Sequence, residues 1–452
     1  MAIVPNPPDL SVLLGTKARV SMDDFFRIAD SHPMQAFIRQ ANERYLHWDH
    51  FRYKPIPSGL SHEEAWGFLK LVRQTNWKHS PLKDVNNRPF AYWVPDHLLR
   101  VLNDIDRWSG DTIGADQPGP LPTKERYVIS ALMDEAIASS QLEGAATTRG
   151  VAKAMLRAGR KPRSHGELMI MNNWLTMQYL REHRTAELTP GMLKELHAIV
   201  TKGALENPRE EGQFRTRDDI IVEYKHEKVH TPPPSSVLPE RLEAFCRFAN
   251  DDDQAAWIHP VVKGVMLHFW LAYDHPFTDG NGRTARGLFY WYLLSRRYWL
   301  FEYLSVSKYI LRAPGQYVRA YLYTETDGND LTYFLDFNLR TIRLAFLELR
   351  QYLAQQQREV TCSNDLLRHY PGLNLRQKTL VYHAIRHPNA QYTIQVHRNT
   401  YGVAYDTARH DLLALTKRGF LDQARQGKEF VFVPSGRMLE KLRRDEESGA
   451  KR

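Results

Sequence analysis

The stretch that decides the fold is residues 259–295, HPVVKGVMLHFWLAYDHPFTDGNGRTARGLFYWYLLS. Two apolar segments with helical spacing flank a polar centre at 274–287, which predicts two buried helices joined by a short loop. A plain turn between core helices needs no His-Pro-Phe before it and no paired arginines after it. The stretch therefore predicts a binding or catalytic site as well as a turn.

The loop predicts an anion site at the start of the second helix. Gly280, Asn281 and Gly282 precede the apolar helical residues, and the unpaired N–H groups and dipole of a helix N-terminus attract anions. Glycine lets phosphate oxygens approach the backbone closely. Arg283 and Arg286 are three residues apart, so both can face the same anion.

Two further side chains of the loop suggest catalysis. Asp279 offers a hard carboxylate that suits Mg²⁺ held against phosphates. His275 precedes Pro276, which predicts an extended backbone at His275, and its imidazole suits removal of a proton from an attacking hydroxyl. Neither a P-loop nor a calcium loop fits the spacing. Together these residues predict nucleotidyl or phosphoryl transfer.

Residues 275–286, HPFTDGNGRTAR, resemble the signature of Fic-domain proteins, His-Pro-Phe-x-Asp-Gly-Asn-Gly-Arg-x-x-Arg, at every specified position. That family transfers AMP from ATP to a hydroxyl of a target Tyr, Thr or Ser. The resemblance covers approximately residues 130–345. It implies a mainly α fold, a helical core with a small β-hairpin flap, and it implies ATP and Mg²⁺ as cofactors. The target would be a protein, the chain itself included.

The resemblance also implies a role for each residue of the loop. His275 would be the base, and Asp279 would carry Mg²⁺. Residues 280–282 and Arg283 would hold the α- and β-phosphates, while Arg286 would meet the γ-phosphate. The match at Asp279 and the following glycine argues against relatives that phosphorylate or transfer phosphocholine.

Two more distant segments complete the expected site. Residues 220–230, IIVEYKHEKVH, follow GQFR and have the pattern of a hairpin, so they are expected to be the flap. Phe277 would anchor the loop in the core. Family members often carry a Tyr-Tyr pair at the adenine pocket, whereas here Tyr317 is followed by Val318. The flap residues expected to position the target side chain are Ile220, Ile221, Val229 and His230.

Residues 139–144, SSQLEG, resemble the inhibitory motif of the same family, Ser/Thr-x-x-x-Glu-Gly/Asn, on a helix before the core. Ser139 and Glu143 are four residues apart and share one helical face. Glu143 would pair with Arg286 and occupy the γ-phosphate subsite, which would exclude ATP from its productive pose. In some relatives the same glutamate orients a water that removes AMP from the target, so this hydrolysis stays open for Glu143.

Composition is typical of a globular protein with two or three domains. The chain has 452 residues, of which 42% are apolar and 25% charged. Cys246 and Cys362 are too few for a disulfide framework or a cysteine-type zinc site, so we expect a reducing, cytoplasmic location. The first residues lack a signal-peptide pattern, and the longest apolar run, 264–273, is about half of what a bilayer needs. We therefore expect no membrane association.

The tail of the chain has a different character. Sixteen Lys and Arg against nine Asp and Glu from residue 361 onward carry most of the formal charge of +9. Three helical patterns (373–388, 393–402 and 404–420) precede two strand-like runs at 421–434, which is the order of a winged helix-turn-helix. Its third helix would present Thr407, Arg409 and His410 to a DNA groove.

This tail leaves a second function open, that of a DNA-binding transcriptional regulator whose Fic core is a sensor or inactive. Residues 372–445 would then bind DNA, although modules of this kind also bind proteins. A homodimer stays open as well. The side chains expected to contact phosphates, which position a protein rather than specify a sequence, are Arg398, Arg409, Lys417, Arg418, Arg425 and Lys428.

These patterns also predict the domain boundaries. The predicted units are a helical N-terminal region at 1–120, a core at 121–350 with its inhibitory helix at 127–144, a linker at 351–371 and a winged-helix-like domain at 372–445.

Overall fold

The computed structural model describes residues 4–10, 22–110, 121–251, 257–366, 372–426, 429–436 and 438, and within them the protein is mainly α-helical. The helices are α1 (Met22–Ala29), α2 (His32–Glu43), α3 (Trp48–Phe51), α4 (His62–Thr75), α5 (Asp96–Gly110), α6 (Leu121–Leu142), α7 (Arg149–Ala158), α8 (His165–Glu182), α9 (Pro190–Thr201), α10 (Leu238–Asn250), α11 (Pro260–Asp274), α12 (Asn281–Ser295), α13 (Ser307–Arg312), α14 (Pro314–Thr326), α15 (Thr332–Leu366), α16 (Leu375–Arg386), α17 (Ile394–Tyr401) and α18 (Tyr405–Lys417). The strands are β1 (Lys78–Lys83), β2 (Pro89–Tyr92), β3 (Val222–Tyr224), β4 (Glu227–His230), β5 (Tyr392–Thr393), β6 (Leu421–Gln426) and β7 (Glu429–Pro434).

The two apolar helices of the opening stretch form the centre of the core. Nearly every residue of α11 is buried, as expected of a helix that is apolar on all sides. Gly264 lets α12 approach closely, because a Cβ at this position would lie 3.3 Å from the side chains of Tyr292 and Leu293. Helices α8, α9, α10 and α15 pack around this pair.

The N-terminal region contains a capped helix and a β-hairpin. Ser61 caps α4 with a capping box, in which Ser61 Oγ accepts from Glu64 N and the Glu64 carboxylate accepts from Ser61 N, a pairing typical of serine followed by glutamate three residues later. Strands β1 and β2 pair antiparallel. The sequence does not predict these strands, because KHSPLK has a proline and little apolar alternation.

The C-terminal region has its own apolar core, formed mainly by α16, α18 and the strands β6 and β7. Three helices precede a β6–β7 hairpin, which is the predicted order, and β5 adds a short strand on the other side of β7. The assignment as a winged helix stays a prediction. Helix α15 continues to Leu366, so most of the expected linker is helical, and its residues 367–371 lie outside the described residues.

Among the residues that the structure describes, no helix combines the length and the apolar character needed to cross a membrane.

Candidate active site

The loop between α11 and α12 begins with an unusual backbone conformation. His275 closes α11 with φ 46° and ψ 56°, in the left-handed region, so the expected extended backbone is wrong. Pro276 disfavours only the right-handed helical region before it, and the His275 N–H bonds back to the Leu271 carbonyl in a helix-terminating turn. The chain therefore turns sharply at His275.

The imidazole of His275 lies in the wall of a cavity of about 170 Å³. Its Nδ1 lies 3.3 Å from the carbonyl oxygen of Ala272, which can only accept, so Nδ1 carries the proton in the neutral ring. Burial, more than any nearby charge, lowers the pKa of His275 to about 4. At neutral pH the Nε2 atom is consequently unprotonated and able to accept a proton.

Two residues outside the predicted site, Arg215 and His197, support this loop. Arg215 Nε donates to the His275 carbonyl at 2.8 Å, Arg215 N donates to the Pro276 carbonyl, and Arg215 Nη2 donates to the Pro233 carbonyl. His197 stacks on Phe277 with 3.8 Å between ring centroids and bonds through Nε2 to the Asp279 carbonyl. Phe277 is fully buried. The only sequence signal for Arg215 is its position in GQFR, just before the predicted flap.

The three residues at the start of α12 form the predicted helix N-terminus. Gly280 caps the helix with φ 79°, and a Cβ there would lie 2.8 Å from Thr201 Cγ2. The Asn281 side chain closes the loop, since its Oδ1 accepts from Phe277 N and its Nδ2 donates to the Phe277 carbonyl. Gly282 leaves the first turn open, and the space in front of it is filled by a carboxylate.

That carboxylate belongs to Glu143, which lies at the end of α6. A Cβ on Gly282 would be 2.1 Å from Glu143 Oε1, so Glu143 lies against the helix N-terminus where an anion is expected. Arg286 Nη2 donates to Glu143 Oε1 at 2.7 Å. Arg286 Nε and Nη2 also donate to Ser139 Oγ and the Ser139 carbonyl. The structure thus brings Ser139, Glu143 and Arg286 together.

The remaining charged residues of the loop differ in exposure. Arg283 is buried, and its Nη1 donates to the Val200 carbonyl at 3.1 Å, while its Nε has no hydrogen-bond partner among the described residues. Asp279 extends into solvent with 61% of its side chain exposed, 3.8 Å from Arg283 Nη2. Within the described residues, no group of three or more His, Cys, Asp or Glu side chains could hold a metal ion.

The flap forms as a hairpin of β3 and β4 with a bulge beside Val222 and a tight turn at Lys225 and His226, both with positive φ. Val222, Val229 and His230 line the same cavity as His275. Ile220 and Ile221 do not line this cavity and precede β3, so the structure does not bring these two residues to the site.

His230 fixes the end of the flap to the core. Its Nδ1 lies 3.0 Å from Glu325 Oε2 on α14, and its Nε2 lies 2.8 Å from the Tyr273 carbonyl on α11. The Tyr273 carbonyl and an ionised Glu325 both accept hydrogen bonds, so this pair of contacts favours the charged ring, in which both nitrogens donate. Burial alone would lower the pKa of His230, but the hydrogen bond and charge of Glu325 more than offset it and raise the pKa.

Tyr317, on α14, also lines the cavity. Its hydroxyl bonds His268 Nε2 at 2.8 Å and the Tyr321 hydroxyl at 3.1 Å. Tyr317, Val318 and Tyr321 all line the cavity. The second tyrosine of this wall is therefore four residues after the first, one helical turn away.

Comparison with known proteins identifies the domain that contains the loop. Residues 187–293 match the model of the Fic/DOC family, and this segment contains α9 to α12 nearly complete together with both flap strands. Protein adenylyltransferase Fic of Nematostella vectensis is 27% identical over 194 residues, covering 41% of this chain and 42% of that protein. Protein adenylyltransferase Fic of Drosophila ananassae is 31% identical over 144 residues, covering 31% of this chain and 27% of that protein.

The chain thus spans less than half the length of these curated relatives. A crystal structure of a Fic family protein from Desulfovibrio desulfuricans G20 is 18% identical, has a TM-score of 0.49, and covers 76% of this chain and 98% of that chain. The family match and the folded HPFTDGNGRTAR loop lead to one conclusion: residues 187–293 form a domain of the Fic/DOC family.

Proposed function

We propose that this chain is a protein adenylyltransferase that moves AMP from ATP to the hydroxyl of a Tyr, Thr or Ser in a target protein, the chain itself included. The observation that carries the proposal is the folded loop 275–286. It combines an imidazole whose Nε2 is unprotonated, a helix N-terminus open at Gly282, and the two arginines 283 and 286. Relatives similar to this segment are named protein adenylyltransferases. Nothing in the comparisons supports the alternative of a DNA-binding regulator.

Each residue of the site would have its own part in AMP transfer. The target hydroxyl oxygen attacks the α-phosphorus of ATP, its proton passes to His275 Nε2, and the bond to the β-phosphate breaks so that pyrophosphate leaves. Arg283 has a buried Nε without a hydrogen-bond partner among the described residues, and a donor placed in advance beside the phosphates would stabilise developing charge. The Tyr317 wall would receive the adenine.

Asp279 fits a role in binding Mg²⁺. Mg²⁺ is held in such sites by one or two carboxylates together with substrate phosphates, and Asp279 offers a single exposed carboxylate beside the helix N-terminus. The ion would neutralise charge on the leaving pyrophosphate. The flap would hold the target backbone close to His275, since Val222 and Val229 share its cavity.

Glu143 is proposed to inhibit the transfer. Its carboxylate occupies the anion position at Gly282 and its bond with Arg286 engages the arginine expected to meet the γ-phosphate. ATP must displace this contact to bind productively. The same carboxylate lies close enough to the site to orient water, so removal of AMP from a modified target belongs to the proposal as a second reaction.

The test compares Glu143→Gly with the wild type in the presence of Mg²⁺ and ATP labelled on either the α- or the γ-phosphate. We expect α-label on protein to rise at least about tenfold in Glu143→Gly, because the competing ion pair is lost, and to disappear in Glu143→Gly/His275→Ala. Glu206→Gly is the matched control, since Glu206 is an exposed glutamate in a turn outside the cavity.

Other outcomes would contradict the proposal. Label from the γ-phosphate alone would identify phosphoryl transfer instead. Equal α-label in wild type and Glu143→Gly would remove the inhibitory role of Glu143 while leaving AMP transfer standing. No label from either position, with several candidate proteins present, would reject AMP transfer from ATP.

A further inference from the structure

Helix α14 contributes to the cavity of the candidate active site on one side and contacts the N-terminal region on another. Tyr317 and Glu325 of this helix line the cavity. The Tyr323 ring stacks on His47 with 4.1 Å between ring centroids, and the Tyr323 hydroxyl donates to Asp49 Oδ2 at 2.9 Å. One wall of the cavity is therefore supported from outside by the N-terminal region.

The end of α14 is held by a buried lysine of α4. Lys70 is only 5% exposed, and its Nζ donates to the Asp327 carbonyl at 3.0 Å and lies 2.8 Å from Asp327 Oδ1. Asp327 directly follows α14, and its N–H still bonds to the Tyr323 carbonyl. A cation at this end of a helix interacts favourably with the last carbonyls and with the helix dipole. Lys70 therefore stabilises the last turn of α14.

The segment after α14 contains a second buried carboxylate near the same lysine. Asp330 Oδ2 lies 3.8 Å from Lys70 Nζ. The Tyr333 hydroxyl donates to Asp327 Oδ2 at 2.7 Å and accepts from Arg73 Nη1 at 2.8 Å. All five of these residues are buried, and removing one partner from such a network leaves an uncompensated charge in the interior. The network therefore favours a single position of this segment.

The backbone of the same segment pairs with strand β2. Ala91 N donates to the Asn329 carbonyl at 3.0 Å, and Leu331 N donates to the Ala91 carbonyl at 2.8 Å. Asn329 Nδ2 also donates to Asp84 Oδ2 at 3.0 Å. The N-terminal region thus holds the segment after α14 through backbone as well as side-chain contacts.

The last turn of α14 also carries the carboxylate that anchors the flap. Glu325 Oε2 lies 3.0 Å from His230 Nδ1, and Glu325 is only two residues from Asp327. A shift of this turn would move the carboxylate relative to His230. It would therefore change the cavity wall and the flap anchor together.

We propose that Lys70 is a positioning residue for AMP transfer. By holding Asp327, it keeps the last turn of α14, and with it Glu325 and the flap, in the geometry that the nucleotide and the target protein require. Lys70 does not line the cavity, so it acts only through α14. The kinetic part of this inference rests on the proposed function, whereas the effect on the flap does not.

Amide exchange on the full chain tests the positioning without any activity measurement. We expect Lys70→Met to accelerate exchange in residues 220–230 and 314–326 by at least about threefold, because two buried carboxylates lose their cation. The control is Arg376→Met, which removes the cation from the buried carboxylate of Asp411 in the C-terminal core. Unchanged exchange in Lys70→Met would overturn the proposal, as would the same acceleration in the control, which would indicate a general loss of stability.

Tyr323→Phe is a milder variant for the case that Lys70→Met does not fold. It removes the hydrogen bond to Asp49 and leaves the buried charges in place. We expect a smaller acceleration of exchange in the same two segments. If Lys70→Met is unfolded and Tyr323→Phe exchanges like the wild type, the proposal is overturned.

Steady-state kinetics in the Glu143→Gly background test the consequence for AMP transfer. We expect Lys70→Met to raise the KM for ATP and for the target by at least about threefold, with a smaller change in kcat. A smaller folded fraction alone would lower the apparent kcat and leave both KM values unchanged, which is the result expected of Arg376→Met if it is destabilised.

The kinetic outcomes separate this proposal from the proposed function. AMP transfer with unchanged KM values in Lys70→Met would overturn the role of Lys70 and leave the proposed function standing. If no variant transfers AMP, the proposed function fails, and amide exchange still decides whether Lys70 positions α14 and the flap.

Discussion

At the scale of single residues, the most demanding position is Gly280. It combines a positive φ with the close approach of Thr201 and His197. Any other residue here would therefore have a strained backbone, and its Cβ would overlap these two side chains. Gly282 is demanding for another reason, because its missing side chain makes the space that Glu143 occupies. The sequence predicted an anion site at both glycines, and the resemblance to the inhibitory motif also implied that Glu143 would occupy the γ-phosphate subsite. Only the close approach of its carboxylate to Gly282 had no signal in the sequence.

We expect Gly280→Ala to lower the free energy of unfolding by about 1–3 kcal/mol, because an L-residue with this φ is strained and the added methyl overlaps Thr201. Gly150→Ala is the control. Gly150 lies in α7 with nothing within 4 Å of its added Cβ, and alanine there should stabilise by about 0.5–1 kcal/mol. Urea unfolding of both variants measures the difference. Equal effects would contradict the geometry of the loop.

At the scale of elements, the flap hairpin is held by few contacts of its own. It consists of three- and four-residue strands, and a hairpin this short is not stable alone. Its far end is anchored through His230 to α11 and α14, and through Arg215 to the catalytic loop. The sequence predicted the hairpin from β-branched residues, but these anchors depend on contacts with residues 43 or more positions away, which periodicity cannot reveal.

We expect the flap anchor to weaken as pH rises. The pKa of His230 is raised above its usual value in the folded protein, so the charged ring stabilises the fold below pH 6.5, and this contribution is lost as pH rises through the folded pKa. The groups facing His230 are Glu325, Asp274 and His275. Amide exchange in residues 220–230 should accelerate with pH beyond the intrinsic rate.

His230→Gln is the variant that tests this anchor, and Lys228→Gln, exposed on the same strand, is its control. Glutamine is neutral and cannot replace the charged ring that donates to both Glu325 and the Tyr273 carbonyl. We therefore expect faster amide exchange in the flap, with no pH dependence beyond the intrinsic rate. We also expect a higher KM for the target with a smaller change in kcat. A pH-dependent flap in His230→Gln would show that another group controls it.

At the scale of the whole molecule, buried histidines govern the response to acid. Burial lowers the pKa of four of them: His197 and His275 to about 4, His268 to about 3 and His47 to about 2. All four are neutral at pH 7, whereas in the unfolded chain they take up protons near pH 6.5. The unfolded state therefore binds more protons below pH 6.5, and stability falls as pH falls.

We expect the free energy of unfolding to decrease from pH 6.5 towards pH 4, with each of these histidines contributing up to about 1.4 kcal/mol per pH unit. Urea unfolding at several pH values, repeated with His268→Gln, measures the share of one histidine. His268 is suitable because it lies outside the loop, while His165, exposed at the start of α8, is the control. Identical pH dependence in wild type and His268→Gln would contradict this account.

The sequence predicted most of the large elements, because α8 to α12 have strong apolar periodicity and α4 has a clear cap. It missed the β1–β2 hairpin, which is short and poor in apolar residues, and the extension of α15, whose polar C-terminal half reads as a linker. Within the site, the loop 275–286 could be predicted because its residues are contiguous in the sequence. Arg215 and His197 were not, because each acts through backbone carbonyls that carry no sequence signal.

The carboxylate of Glu143 against the start of α12 has a consequence for how the protein responds to its surroundings. An intramolecular competitor is present at an effective concentration set by the length of its tether, which for short connections reaches the millimolar range. Because only the fraction of protein with Glu143 displaced can bind ATP productively, the apparent affinity for ATP is lowered by that fraction. Under the proposed function, anything that moves α6 would change this fraction and so change the apparent affinity itself, whereas a change in ATP concentration would alter occupancy no more than in proportion.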